Sequence, residues 1–76
     1  MLDKNIAYLR KKQGISVSEL ASSAGVVRQM IYDYENGKKL PQPYTLLHIA
    51  EKLGVTVDAM LKYDLSKSDV SEQIRN

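Results

Sequence analysis

Four glycines punctuate this chain, and each stands at the end of a segment whose apolar residues recur at helical spacing. Gly14, Gly25, Gly37 and Gly54 are therefore the expected stops of four short helices. After the third of these, KKLPQP carries Pro41 and Pro43. Two prolines one residue apart cannot both lie inside a helix, so this stretch is a loop. No segment alternates apolar and polar residues in the manner of a half-buried strand. The chain is thus expected to be all-α. Its 76 residues suit one domain with a thin core.

Each segment has a distinct wheel. The first helix is expected over 3–13, with Leu2, Ile6, Leu9 and Gln13 on one face and Arg10 at its edge; Lys11 and Lys12 suit the negative end of the helix dipole. The second, over 17–24, opens on the pattern S-x-x-E at Ser16 and Glu19, a capping box that satisfies two free backbone donors. Val17, Leu20, Ala21 and Ala24 share its inner arc. The third, over 28–36, splits into Met30, Ile31, Tyr34 and Glu35 on one side and Arg28, Gln29, Tyr32, Asp33 and Asn36 on the other. The fourth runs from 43 or 44 to 53 with a broad apolar arc of Leu46, Leu47, Ile49, Ala50 and Leu53, and His48 on the opposite, solvated side. A short fifth helix begins at Thr56 as cap, with Asp58 in its first turn and Met60 and Leu61 apolar. The expected division is a domain over 1–63 and a polar tail over 64–76. That tail is expected to be disordered, or at most a short frayed helix carrying Val70 and Ile74.

Composition excludes several chemistries. There is no cysteine, hence no disulfide and no thiolate zinc site. A lone histidine, His48, has no co-ligand, so no metal and no cofactor is expected. Nor is an enzyme: there is no catalytic pair of carboxylates, no serine–histidine arrangement and no glycine-rich phosphate loop. No apolar run is long enough to span a bilayer and the start of the chain lacks a signal-peptide core, which leaves the cytoplasm as the expected location. With neither disulfide nor metal, self-association is the expected source of extra stability, although good helix packing can suffice. Charge is distributed unevenly. Residues 1–39 hold Lys4, Arg10, Lys11, Lys12, Arg28, Lys38 and Lys39 against Asp3, Glu19, Asp33 and Glu35, about +3 at neutral pH. The positive half is the half containing the second and third helices.

Those two helices, joined at Gly25, have the spacing of a helix-turn-helix. In that arrangement the outer face of the second helix enters a DNA groove. The side chains available there suit base edges: Arg28 can make a bidentate contact with guanine, Gln29 with adenine, and Asp33 can accept from cytosine. Asn36 and the amides after Gly37 can bind phosphate.

Over about residues 4–62 the sequence resembles the Cro/CI-type, or xenobiotic-response-element, helix-turn-helix family of phage repressors. The matching stretches are NIAYLRKKQGIS, SELASSAGV, IYDYENGKK, Pro41 and TLLHIAEKLGVTVDAML. The resemblance implies a compact five-helix, lambda-repressor-like DNA-binding domain. It places Arg28, Gln29 and Asp33 against bases, and Ser16, Val17, Asn36, Lys38 and Lys39 against phosphates. It matches Arg10 and Glu35 to a structural ion pair, which the wheels support independently by setting both at the margin of an apolar face. It further implies a homodimer on a pseudo-palindromic double-stranded DNA operator, with the dimer contact near Val57, Met60, Leu61 and Tyr63, and Leu65 as a further candidate. Those residues can equally close the core.

Three positions are unusual. Val17 stands where the family often has a phosphate-binding glutamine. Val27 stands where it usually has a serine or threonine cap, and it can either touch a thymine methyl or pack against the preceding helix. Tyr32, on the outer face, can meet DNA or lean on Arg28 and Gln29. The expected function is a small sequence-specific regulator, a repressor of prophage or mobile-element type. The alternative is a helix-turn-helix used to bind a protein such as a toxin or an antirepressor, with Val17, Val27 and Tyr32 as contacts.

Overall fold

A computed structural model describes residues 1–67. These residues form five helices, α1 (Leu2–Lys12), α2 (Val17–Ala24), α3 (Arg28–Glu35), α4 (Pro43–Leu53) and α5 (Val57–Lys62). The expected segments agree to within a residue at each end. The suggested helix around Val70 and Ile74 lies outside the described residues. None of the helices is long and apolar enough to cross a membrane.

The helices end and begin where the sequence signals them. The Ser16 hydroxyl accepts from the Glu19 N–H at 3.0 Å, and the Glu19 carboxylate accepts from the Ser16 N–H at 3.4 Å, the reciprocal capping box. Thr56 Oγ1 accepts from the Ala59 N–H at 3.0 Å and caps α5. Gly25 closes α2 with φ 71°, a left-handed conformation that a side chain disfavours.

One core joins all five helices. Ile6 and Leu9 of α1, Leu20, Ala21 and Ala24 of α2, Ile31 and Tyr34 of α3, Ile49, Ala50 and Leu53 of α4, and Ala59 and Met60 of α5 are buried together. Ala21 and Ala24 of α2 are buried, and α2 packs mainly on α4 and α3. Leu47 departs from the expected α4 arc and is exposed, because five helices do not surround α4 completely.

Two polar side chains lock distant segments. Asn5 is fully buried. Its Nδ2 donates to the carbonyls of Met60 (2.8 Å) and Tyr63 (2.7 Å), and its Oδ1 accepts from the Leu65 N–H (2.9 Å). The last carbonyls of a helix lack intrahelical partners, and Asn5 supplies them for α5. Gln13, expected on the apolar face of α1, instead stands at its C-terminal cap and donates from Nε2 to the Leu53 carbonyl at 2.6 Å. It performs the same service for α4.

Leu65 corrects the expected boundary at residue 63. It is buried in the common core, so the globule continues past Tyr63 and the polar stretch begins later. Burial also removes Leu65 as a candidate dimer contact.

Candidate nucleic-acid interface

The outer face of α3 owes its position to what its inner face does. Ile31 and Tyr34 enter the core, and α3 packs against both α1 and α2. At the margin, Arg10 of α1 grips Glu35 with two bonds: Nε to Oε2 at 2.6 Å and Nη2 to Oε1 at 3.2 Å. Arg10 Nη1 also donates to the Ile15 carbonyl at 3.1 Å, in the turn leading to α2. One guanidinium therefore fixes α1, the start of α2 and the end of α3 to each other. The Arg10 and Glu35 side chains are only 12% and 9% exposed. The bond to Glu35 raises the Arg10 pKa above its ordinary value, outweighing the opposite effect of burial.

The opposite side of α3 is open. Arg28, Gln29, Tyr32 and Asn36 are all exposed. Val27, just before the helix, is 70% exposed; it does not pack against α2. It adopts the extended conformation of a helix cap, but makes no cap hydrogen bond. Tyr34, on the core side, has its phenol pushed up by burial and, secondarily, by the neighbouring Asp33 charge.

Asp33 departs from the wheel. Its side chain is only 12% exposed, although the helix alone places it with the outer residues. After Gly37 the chain folds back over Asp33, and the N–H groups of Lys38 and Lys39 both donate to its carbonyl, at 2.9 and 3.4 Å. Its carboxylate is occupied as well. Gln29 Nε2 donates to Oδ1 at 3.1 Å, and Lys39 Nζ lies 3.7 Å from Oδ2.

The positions expected at phosphates lie at the start of α2 and just after α3. Ser16 is exposed at the start of α2. Val17 turns its side chain onto the core, so what it offers is its N–H, one of the first-turn donors that a helix leaves free. Asn36, Lys38 and Lys39 are exposed at the other end of α3. Lys39 is shared with Asp33, and its Nζ also lies 3.9 Å from the Met30 sulfur. Lys38 has no ion pair among the described residues.

The candidate dimer residues divide. Met60 is completely buried and belongs to the core, so it cannot meet a second subunit. The reason is its register: Met60 and Ala59 form the buried side of α5, and Leu61 the exposed side. Val57 is partly buried against the core. Leu61 and Tyr63 are exposed.

A family model described as helix-turn-helix matches residues 6–60, a span from Ile6 in α1 to Met60 in α5. The chain belongs to the helix-turn-helix family. Its helix-turn-helix proper is α2, the turn at Gly25 and α3. Among relatives, it is similar to the SPbeta prophage-derived HTH-type transcriptional regulator YonR of Bacillus subtilis, 32% identical over 72 residues, which span 95% of this chain and 67% of that protein. The fold resembles the crystal structure of SinR, the master regulator for biofilm formation, in complex with DNA: TM-score 0.74 and 32% identity over 82% of this chain and all of that one. It also resembles a chain of the SinR–SinI protein complex, with TM-score 0.77 and 28% identity over 99% of this chain and 76% of that chain.

Sequence reasoning identified the ion pair of this helix-turn-helix and the open face of α3. It missed Asp33 as a packed residue and Asn5 as a clamp. The i, i+4 spacing of Gln29 and Asp33 was the available signal for their bond.

Proposed function

We propose that this chain binds a specific double-stranded DNA sequence as a small transcriptional regulator, a repressor of prophage or mobile-element type acting in the cytoplasm. The observation that carries this proposal is the outer face of α3. Val27 just before α3, and Arg28, Gln29 and Tyr32 on it, are exposed, while the inner face of the helix is fixed by Ile31, Tyr34 and the Arg10–Glu35 pair. A helix held on its inner side and exposed on a largely polar outer face fits the major groove. The SinR–DNA complex and the prophage origin of YonR support the same proposal.

In this arrangement Arg28 pairs with guanine and Gln29 with adenine, while Val27 and Tyr32 touch base edges or thymine methyls. Ser16, the Val17 N–H, Asn36, Lys38 and Lys39 hold phosphates and set the register. Two copies bind a pseudo-palindromic operator with recognition helices about 34 Å apart. Leu61 and Tyr63 are the exposed apolar residues available on the α5 side for the contact between them. Selection from a randomised duplex library tests the proposal: an enriched motif supports it, and a pool that stays random sinks it.

The exposure of Val27 and Tyr32 favours one second use of the same face, binding of a regulatory protein. The likeness to a chain from the SinR–SinI complex adds to it. If protein is the target, replacing Val27 and Tyr32 by serine abolishes capture of the partner without changing affinity for any DNA.

A further inference from the structure

Gln29 and Asp33 lie one turn apart on α3, and the first donates to the second. A carboxylate accepts and cannot donate when ionised, so the bond has one sense: the amide nitrogen of Gln29 faces Asp33 Oδ1, at 3.1 Å. Asp33 has little room to swing away: its side chain is nearly buried, and Lys39 Nζ approaches its second oxygen at 3.7 Å. Gln29 itself is an exposed residue. An exposed glutamine would otherwise sample many rotamers and both amide orientations.

The bond decides what Gln29 has left to offer. One N–H of the amide is taken. One N–H and the Oε1 acceptor remain, with no other bond among the described residues. Adenine presents a donor, N6, beside an acceptor, N7, in the major groove, and one acceptor plus one donor match it. Guanine presents two acceptors, O6 and N7. To satisfy both, the amide would have to turn both N–H groups outward, and Asp33 holds one of them inward. An amide oxygen aimed at guanine O6 is repelled.

We infer that Asp33 is a positioning residue for base specificity, which makes Gln29 select adenine over guanine by holding its amide in one orientation. This deepens the proposal that α3 reads bases and rests on it. Asp33 itself touches no base, contrary to the direct cytosine contact expected from the sequence. Lys39 serves the same end by holding the carboxylate from its other side.

Two measurements test it. In free wild-type protein, 15N relaxation of the Gln29 side-chain amide is expected to show motion as restricted as the α3 backbone; an amide as mobile as those of other exposed glutamines overturns the inference without any variant. Duplex selection is then run on wild type and on Asp33→Asn, whose side chain can accept or donate and so permits either amide orientation. Wild type is expected to prefer adenine at one position per half-site, and Asp33→Asn to lose about tenfold of that preference against guanine there and nowhere else. In a Gln29→Ala background, Asp33→Asn is expected to change nothing further. A wild-type motif that Asp33→Asn leaves intact, or alters at a different position, overturns the inference alone. A wild-type pool with no motif overturns the DNA-binding proposal and this inference with it.

Discussion

Arg10 and Glu35 meet as a two-pronged ion pair between α1 and α3, at 2.6 and 3.2 Å, with both side chains almost out of solvent. Removing one partner leaves the other charged and without its counter-charge. Arg10→Ala or Glu35→Ala is expected to lower stability by about 3–5 kcal/mol. Replacing both with apolar residues of similar volume should recover much of this, but not all, because the Ile15 carbonyl loses Arg10 Nη1 as well. Urea denaturation of the two singles and the double checks this through the midpoints. Additive losses would show that the pair does not act as a unit.

Val27 caps α3 by its backbone conformation alone. Val27→Ser and Val27→Thr should each stabilise the fold by about 1 kcal/mol, through an added acceptor for the free N–H groups of the first turn. The two are expected to part company on DNA. Threonine keeps a methyl group at the groove and serine does not, so only Val27→Ser should weaken a thymine preference. Thermal melting together with competition binding checks both halves.

Met60 and Leu61 are neighbours with opposite roles. Met60→Ala empties a completely buried site and should cost about 2–5 kcal/mol. Leu61→Ala alters an exposed side chain and should change stability by no more than about 0.5 kcal/mol. If α5 carries the dimer contact, Leu61→Ala combined with Tyr63→Ala shifts sedimentation equilibrium toward monomer. An unchanged association constant would place the contact elsewhere.

Lys38 and Lys39 differ in the same way. Lys39 already faces Asp33 at 3.7 Å, and Lys38 has no such partner among the described residues. Each phosphate contact adds nearly one counterion to those released on binding. Lys38→Ala should therefore reduce the slope of log affinity against log salt by about 1 for each site lost. Lys39→Ala should reduce it by less and should also disturb base preference, through Asp33. Titrations over a range of salt concentrations separate the two.

Local pattern made the helices legible. Glycine stops, the Ser16 box, the Thr56 cap and the apolar period of each segment all act within a few residues, and α2 begins and ends where they set it. The Arg10–Glu35 pair was legible through the family resemblance, with support from the wheels, which set both residues at the edge of an apolar face. Asn5 was not. Its partners lie 55 to 60 residues away, and nothing next to it in sequence announces the carbonyls of α5. Leu65 follows a polar stretch, so only the closed fold shows that it completes the core. Asp33 misled the helical wheel for a related reason. The wheel treats α3 as a bare cylinder, while Gln29 and Lys39 both approach the Asp33 carboxylate.

The proposed reading of base pairs by the outer face of α3 turns on Arg28. The decisive measurement is duplex selection with wild type and Arg28→Ala in parallel, followed by affinities for the wild-type motif. The expected result is one enriched motif for wild type and, for Arg28→Ala, the same motif with a single guanine position relaxed, at a cost of about 1–3 kcal/mol. A wild-type pool without a motif, or a motif and affinity that Arg28→Ala leaves unchanged, would show that α3 does not read base pairs through Arg28.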